Sequence, residues 1–195
     1  QAFASWLNFL FEGEGLVFLF PNDRRLKRIL SPLFVREISG HPRTSQLVIA
    51  QSAELEQRYH AQIKARPVNL FLFHKGGRYP IEPRENDFSL RGTRHFITPQ
   101  DLLEIARNTP ELLSPNVVLR SVAQDTLLPT AVYIAGPSEI AYHAQLKPVY
   151  EHFGVRQPMV YPRASASFVE DRLQRVMERY QLELPVFFEE IDQIK

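Results

Sequence analysis

The stretch from Ala131 to Pro148 limits the architectures open to this chain more than any other. Ala131-Val-Tyr-Ile-Ala is a short apolar run that ends at Gly136, and Pro137-Ser138 opens a patterned helix directly after it. A strand that yields to a helix across one glycine is the βα unit of open α/β sheets, whose ligands gather at the carboxyl ends of strands. The helix should run to about Phe153 and stop at Gly154, followed by a short strand near Met159–Tyr161 and a last helix over about 167–181. The expected fold class is therefore α/β: part of a Rossmann-like parallel sheet with crossover helices, carrying a small antiparallel β insertion.

Composition narrows the function classes. The chain has 195 residues, 44% of them apolar, which is ample for a hydrophobic core. Basic and acidic side chains number 23 and 22, so the net charge of +1 supplies no field for nucleic acid or an anionic membrane. No apolar run approaches the ~20 residues that span a bilayer. The absence of cysteine excludes a disulfide framework and a thiol nucleophile from this chain, and fits a reducing cytoplasm. Fifteen prolines against eight glycines imply fixed turns and interrupted elements.

Upstream, Phe3, Leu7 and Leu10 mark an apolar helix, and Leu16–Phe20 reads as a short buried strand between Gly15 and Pro21. Asn22 or Asp23 can cap a helix with Leu26, Ile29, Leu30, Leu33 and Phe34 inward, and with Arg24, Arg25, Lys27 and Arg28 on a solvated face. A second helix from Thr44 or Ser45 should end before Pro67, with Leu47, Ala50, Leu55 and Tyr59 inward. Residues 69–83 read as a hairpin turning at Gly76-Gly77, with Pro80 and Pro83 confining the return strand to an edge. Asp87–Arg91 can add a third strand. Thr98 caps a helix that begins at Pro99, and Val117 to Leu128 is helical up to Pro129. This organisation gives core or connecting elements over 1–66, the antiparallel insertion over 67–97, and the second half of the core over 98–195.

Several residues can carry chemistry. Gly136 allows close approach to the backbone, and the helix start at Pro137 presents N–H groups that favour an anion. Glu139, Tyr142, Leu146, Val149 and Phe153 form one stripe whose lower part is core, so Glu139 at its top faces the sheet edge. Two readings stay open for Glu139: holding or deprotonating a substrate amine, or satisfying its own first helical turn. His143, one turn on, can touch Glu139 or simply pack. Arg120, with Asn116 and Gln124 one turn to either side, and Arg163 after the last strand are equally structural ion pairs or substrate clamps. His74 and His95 lack metal-ligand spacing, so no metal is expected. No Gly-rich phosphate loop, Gly-x-Ser-x-Gly or His-Glu-x-x-His occurs.

Ser114-Pro-Asn-Val-Val-Leu-Arg-Ser-Val-Ala-Gln124, Tyr133-Ile-Ala-Gly-Pro-Ser-Glu-Ile-Ala-Tyr-His-Ala-Gln-Leu-Lys-Pro148 and Pro158-Met-Val-Tyr-Pro-Arg163 together resemble the bacillithiol biosynthesis cysteine-adding enzyme family. Gly15–Lys27 and Asn69–His74 resemble weaker parts of the same pattern. The resemblance implies a ligase that joins the carboxyl group of cysteine to the amine of glucosaminyl-malate. It also implies a Rossmann-like core, ATP for acyl activation, a cytoplasmic enzyme, and a coiled-coil arm that makes the full-length protein a homodimer. Under it, this chain is a central segment of a longer enzyme and is inactive alone. Glu139 and Tyr142 would be catalytic and orient the amine. Gly136 and Pro137 would shape the pocket, and Asn116, Arg120, Gln124, Gln145 and Arg163 would bind substrate. His143 stands where the family often has an aromatic residue, and Ser138 where it often has glycine. Other readings are a nucleotidyltransferase or ligase of the same superfold acting on another amine, and a non-catalytic domain binding a small molecule or a partner.

Overall fold

Residues 2–188 are described by the structure, a computed structural model, in two compact units divided between Pro162 and Arg163. The first unit opens with helix α1 (Ala2–Leu10), followed by α2 (Arg24–Gly40) and α3 (Arg43–Leu55). Asp23 caps α2 by accepting the Arg25 N–H at 2.8 Å. Strands β1 (Leu70–His74), β2 (Gly77–Pro83), β3 (Phe88–Leu90) and β4 (Phe96–Ile97) come next. Helix α4 (Pro99–Asn108), strand β5 (Leu113–Pro115) and helix α5 (Val117–Leu127) lead to the βαβ unit of β6 (Val132–Ala135), α6 (Pro137–Phe153) and β7 (Met159–Pro162). The second unit holds α7 (Asp171–Tyr180), which begins later than expected, at the Glu170 N-cap.

Two sheets result. The expected parallel pairing is β6 with β7, in the register Val132↔Met159 to Ala135↔Pro162, with α6 as the crossover. The antiparallel sheet is larger than a small insertion, with five strands in the order β4-β3-β2-β1-β5. Strand β5 enters it from beyond residue 97 by pairing Leu113 with Leu72 and Pro115 with Leu70. The hairpin turns on Lys75 and Gly76, whose φ values of 47° and 79° give a turn matched to strand twist. Strand β2 lies inside the sheet and not at its edge. Its residues Gly77–Pro80 pair with β1 and Ile81–Pro83 with β3, so each proline needs to serve only one ladder.

The core gathers Phe34 and Ile38 of α2, Leu70 and Leu72 of β1, Leu102 of α4, Leu119 and Val122 of α5, and Leu146, Val149 and Tyr150 of α6. Four other expectations fail. Leu16–Phe20 is no strand: it has no ladder partner among the described residues, and Val17 and Phe20 are exposed. Lys27 is 2% exposed instead of solvated, because its stem joins the Leu30–Phe34 face and its Nζ donates to the Leu113 carbonyl at 2.6 Å. Helix α3 ends at Leu55, and its inward face is Thr44, Ser45 and Val48. Strand β6 is only part-buried, with Val132 and Ile134 exposed, since β7 is its one neighbour among the described residues.

A buried polar network ties the helices to the antiparallel sheet. The Glu37 carboxylate of α2 accepts the Asn69 backbone N–H at 2.8 Å and the Asn69 side-chain amide at 3.0 Å on one oxygen. Its other oxygen accepts the Thr44 hydroxyl at 2.5 Å. Asn69 in turn accepts the Asn116 amide at 2.8 Å, and Asn116 caps α5 by accepting the Val118 and Leu119 N–H groups. Glu37 and Asn69 are wholly out of solvent, so no water replaces a lost partner. Asn69→Ala leaves Glu37 and Asn116 short of partners, and should lower unfolding stability by about 2–4 kcal/mol in urea titration. A loss below about 1 kcal/mol would contradict this role for the network.

Candidate functional site

A cleft of about 660 Å³ opens in the first unit where β1, β2, α5, β6 and the start of α6 converge. Five of the expected site residues line it: Asn116, Arg120, Gln124, Glu139 and Tyr142. Four further residues of the wall escaped the sequence reading, namely Lys64, Arg66, Arg78 and Tyr133. Lys64 and Arg66 lie in the irregular segment between α3 and β1, which has no periodicity to reveal a face. Arg78 is on β2, the return strand of the hairpin, where nothing in the local pattern marks a ligand-facing side, and Tyr133 sits on β6 among apolar neighbours.

Glu139 occupies the third position of α6 and satisfies its own first helical turn. One oxygen accepts the Gly136 N–H at 2.8 Å, closing a capping box, and the other accepts the Tyr133 hydroxyl at 2.9 Å. Burial first, then hydrogen bonds to Tyr142 and Glu139, push the Tyr133 phenol well above its ordinary range, so it stays a protonated donor. Gly136 has φ −73° and ψ 169°, a conformation open to any residue, and its N–H is taken by Glu139. An anion at this helix start therefore meets one donor fewer than the sequence suggests. Pro137 is exposed and lies outside the cleft wall.

The remaining expected residues have other positions. Gln145 is fully buried and does not line the cleft. Its amide oxygen accepts the Gln62 and Ile63 N–H groups at 2.9 and 3.0 Å, and its nitrogen donates to Ser52 and to the Ile63 carbonyl. That use corrects its assignment to substrate: Gln145 pins the 60–63 segment that precedes Lys64. Asn116 touches the cleft, but its side chain is engaged as the α5 cap and with Asn69. Arg163 is exposed at the start of the second unit. His143 is 2% exposed, stacked with Tyr142 at 5.0 Å and tilted against Tyr133 at 4.7 Å between ring centroids. Neither of its ring nitrogens has a hydrogen-bond partner among the described residues, and burial lowers its pKa, so it is a neutral packing residue behind the two tyrosines.

The wall is electrostatically lopsided, with Lys64, Arg66, Arg78 and Arg120 set against the single carboxylate of Glu139. Arg78 is held in place by its Nε donating to Ser114 at 2.7 Å, by a second bond to the Pro115 carbonyl, and by the Phe71 ring 3.8 Å below its guanidinium. Such a site can hold an acidic group at the cations and a basic group at Glu139. Among the described residues, no group of three or more His, Asp or Glu could hold a metal ion.

Two outcomes follow from these burials. His143→Phe removes two unpartnered buried nitrogens while keeping the ring, so stability should hold or rise by about 1 kcal/mol; a loss above about 2 kcal/mol in thermal unfolding would contradict the packing role. Burial, with help from the Arg78 charge, lowers Lys27 from 10.5 to about 8. The unfolded chain then binds more protons between those values, so stability should rise with pH from about 8 to 10.5 and level off above. Lys27→Met should flatten that rise in denaturation curves taken across the interval.

Residues 1–164 match the family model described as the bacillithiol biosynthesis BshC, N-terminal Rossmann-like domain. Among curated proteins, the chain is 46% identical over 190 residues to the "Putative cysteine ligase BshC" of Salinibacter ruber, covering 96% of this chain and 35% of that protein. It is 43% identical over 181 residues to the protein of the same name from Chloroherpeton thalassium, covering 92% and 32%. A third, from Koribacter versatilis, is 38% identical over 194 residues, covering 98% and 35%. The chain spans about a third of the length of these relatives. With a Rossmann-like match over most of its length and this level of identity, the chain belongs to the bacillithiol biosynthesis BshC family.

Proposed function

We propose that this segment supplies the amine-holding side of a ligase that joins cysteine to glucosaminyl-malate, the closing step of bacillithiol synthesis. The observation that carries the reading is the pairing, in one cleft, of a capped and tyrosine-bonded carboxylate with a wall of cations. Glucosaminyl-malate has that same division, with one amine and two carboxylates. The names of the relatives support the ligase class and the cysteine substrate.

In this reading Glu139 accepts hydrogen bonds from the substrate amine and fixes the direction of its lone pair. Tyr133 holds the carboxylate in place, and Tyr142 closes the wall beside it. Arg120 and Gln124, one helical turn apart on α5, take the malyl carboxylates with Lys64 and Arg66. Bond formation requires the cysteine carboxyl carbon to lose an oxygen while the amine loses a proton; ATP supplies the activation that makes that oxygen a leaving group. Among the described residues, Lys64, Arg66, Arg78 and Arg120 of the cleft form no ion pair with a carboxylate, which suits the phosphates of ATP. The expected dimer arm and Arg163 belong to the same proposal for the longer enzyme.

Glu139→Gln keeps the Gly136 N–H acceptor and removes the charge. In a full-length family member carrying these residues, thiol formation from glucosaminyl-malate, cysteine and ATP should fall more than about tenfold with the melting temperature unchanged. Near-normal turnover would leave Glu139 as a helix cap alone.

A further inference from the structure

A smaller chamber of about 260 Å³ lies next to the cleft and shares Arg78, Pro115 and Arg120 with it. Its third cation is Lys27, which comes from the start of α2 and closes the Gly15–Lys27 stretch of the family resemblance without a role assigned to it there. The three charges arrive from three separate elements: α2, β2 and α5. Two are built in. Lys27 is 2% exposed with its Nζ bonded to the Leu113 carbonyl at 2.6 Å, and Arg78 is bonded to Ser114 and Pro115, so both are anchored on strand β5.

None of the three forms an ion pair with a carboxylate among the described residues. Other cations of α2 do find one: Arg24 pairs with Glu111 at 2.5 Å and Arg25 with Asp23 at 2.7 Å. A buried ammonium that shares a chamber lining with two guanidinium groups, and with no carboxylate among the described residues of that lining, is costly to hold unless an anion completes it. The Lys27 and Arg78 charges also oppose each other, which lowers the basicity of Lys27 beyond the effect of burial.

We infer that Lys27, Arg78 and Arg120 form an anion-binding chamber for a group carrying two or more negative oxygens, separate from the Glu139 amine position. Two ligands present this chemistry: the phosphoryl tail of a nucleotide and a dicarboxylate such as the malyl group. A guanidinium fork suits either, and the Lys27 ammonium adds a point charge to the chamber wall. The inference does not depend on the ligase reading, because the chamber is defined by its own geometry and binding is measured without turnover.

The test is calorimetric titration of the full-length protein with inorganic pyrophosphate and, in a second arm, with malate. Lys27→Met and, separately, Arg120→Gln should each weaken binding by about tenfold or more, while Arg24→Gln, on the same helix but paired with Glu111, leaves it unchanged. Tighter binding of pyrophosphate assigns the chamber to phosphoryl groups, and tighter binding of malate assigns it to a dicarboxylate. Should Lys27→Met fail to fold, the Nζ titration of the unaltered protein gives the answer, since a bound anion must raise the Lys27 pKa from about 8. The inference is overturned if neither probe binds, if binding is the same in the Lys27 and Arg120 variants, or if the Lys27 titration does not move.

Discussion

The buried Glu37–Asn69–Asn116 network is the constraint on which the rest of the first unit depends. Asn69 stands just before β1 and is held by α2 on one side and by the α5 cap on the other. Register at this point decides where α5 starts, and hence where Arg120 and Gln124 project one and two turns later. The same carboxylate reaches Thr44 at the head of α3, so α2, α3 and the approach to β1 are indexed to one side chain, and Asn69 carries the link on to α5. Apolar packing of Phe34, Leu119 and Val122 supplies the driving force for collapse but is not directional. Hydrogen bonds out of reach of water make the arrangement specific.

A second fixed point, at Gln145, does for the far wall what Asn69 does for the near one. From α6 it fastens the irregular segment at Gln62 and Ile63, and Lys64 and Arg66 follow directly into the cleft. Glu139, two turns earlier on α6, is steadied by Gly136 and Tyr133. Glu139, Lys64 and Arg66 are therefore placed by one helix and its anchor. The site is built on elements whose relative positions are bonded and not merely packed, which suits a cleft whose charged groups must hold fixed positions.

The legible parts of the fold were those with a strong local signal. Thr98-Pro99, the stop at Pro129 and the Gly136–Gly154 limits of α6 announce themselves through start and stop signals, and the structure bounds α4, α5 and α6 at or beside those places. Reading failed where tertiary pairing overrides the local pattern. Pro80 and Pro83 imply an edge strand, yet β2 is interior because its two ladders divide its length. Leu16–Phe20 has strand composition but no ladder partner among the described residues. Lys27 shows the limit most clearly: a lysine in a run of arginines carries no mark in sequence that its stem will lie against Phe34 and its ammonium against β5. At the site, helix-borne Glu139, Tyr142, Arg120 and Gln124 were readable by spacing, whereas Lys64, Arg66 and Arg78 reach the cleft only through long-range contacts.

The central claim is that the cleft sorts its ligand by charge, amine to Glu139 and acid groups to the cations. The most direct test is a structure of the full-length protein with glucosaminyl-malate bound. The account predicts the amine nitrogen within about 3 Å of a Glu139 oxygen, with the malyl carboxylates on the Arg120 side. A ligand bound with its carboxylates at Glu139's end, or outside this cleft altogether, would contradict it.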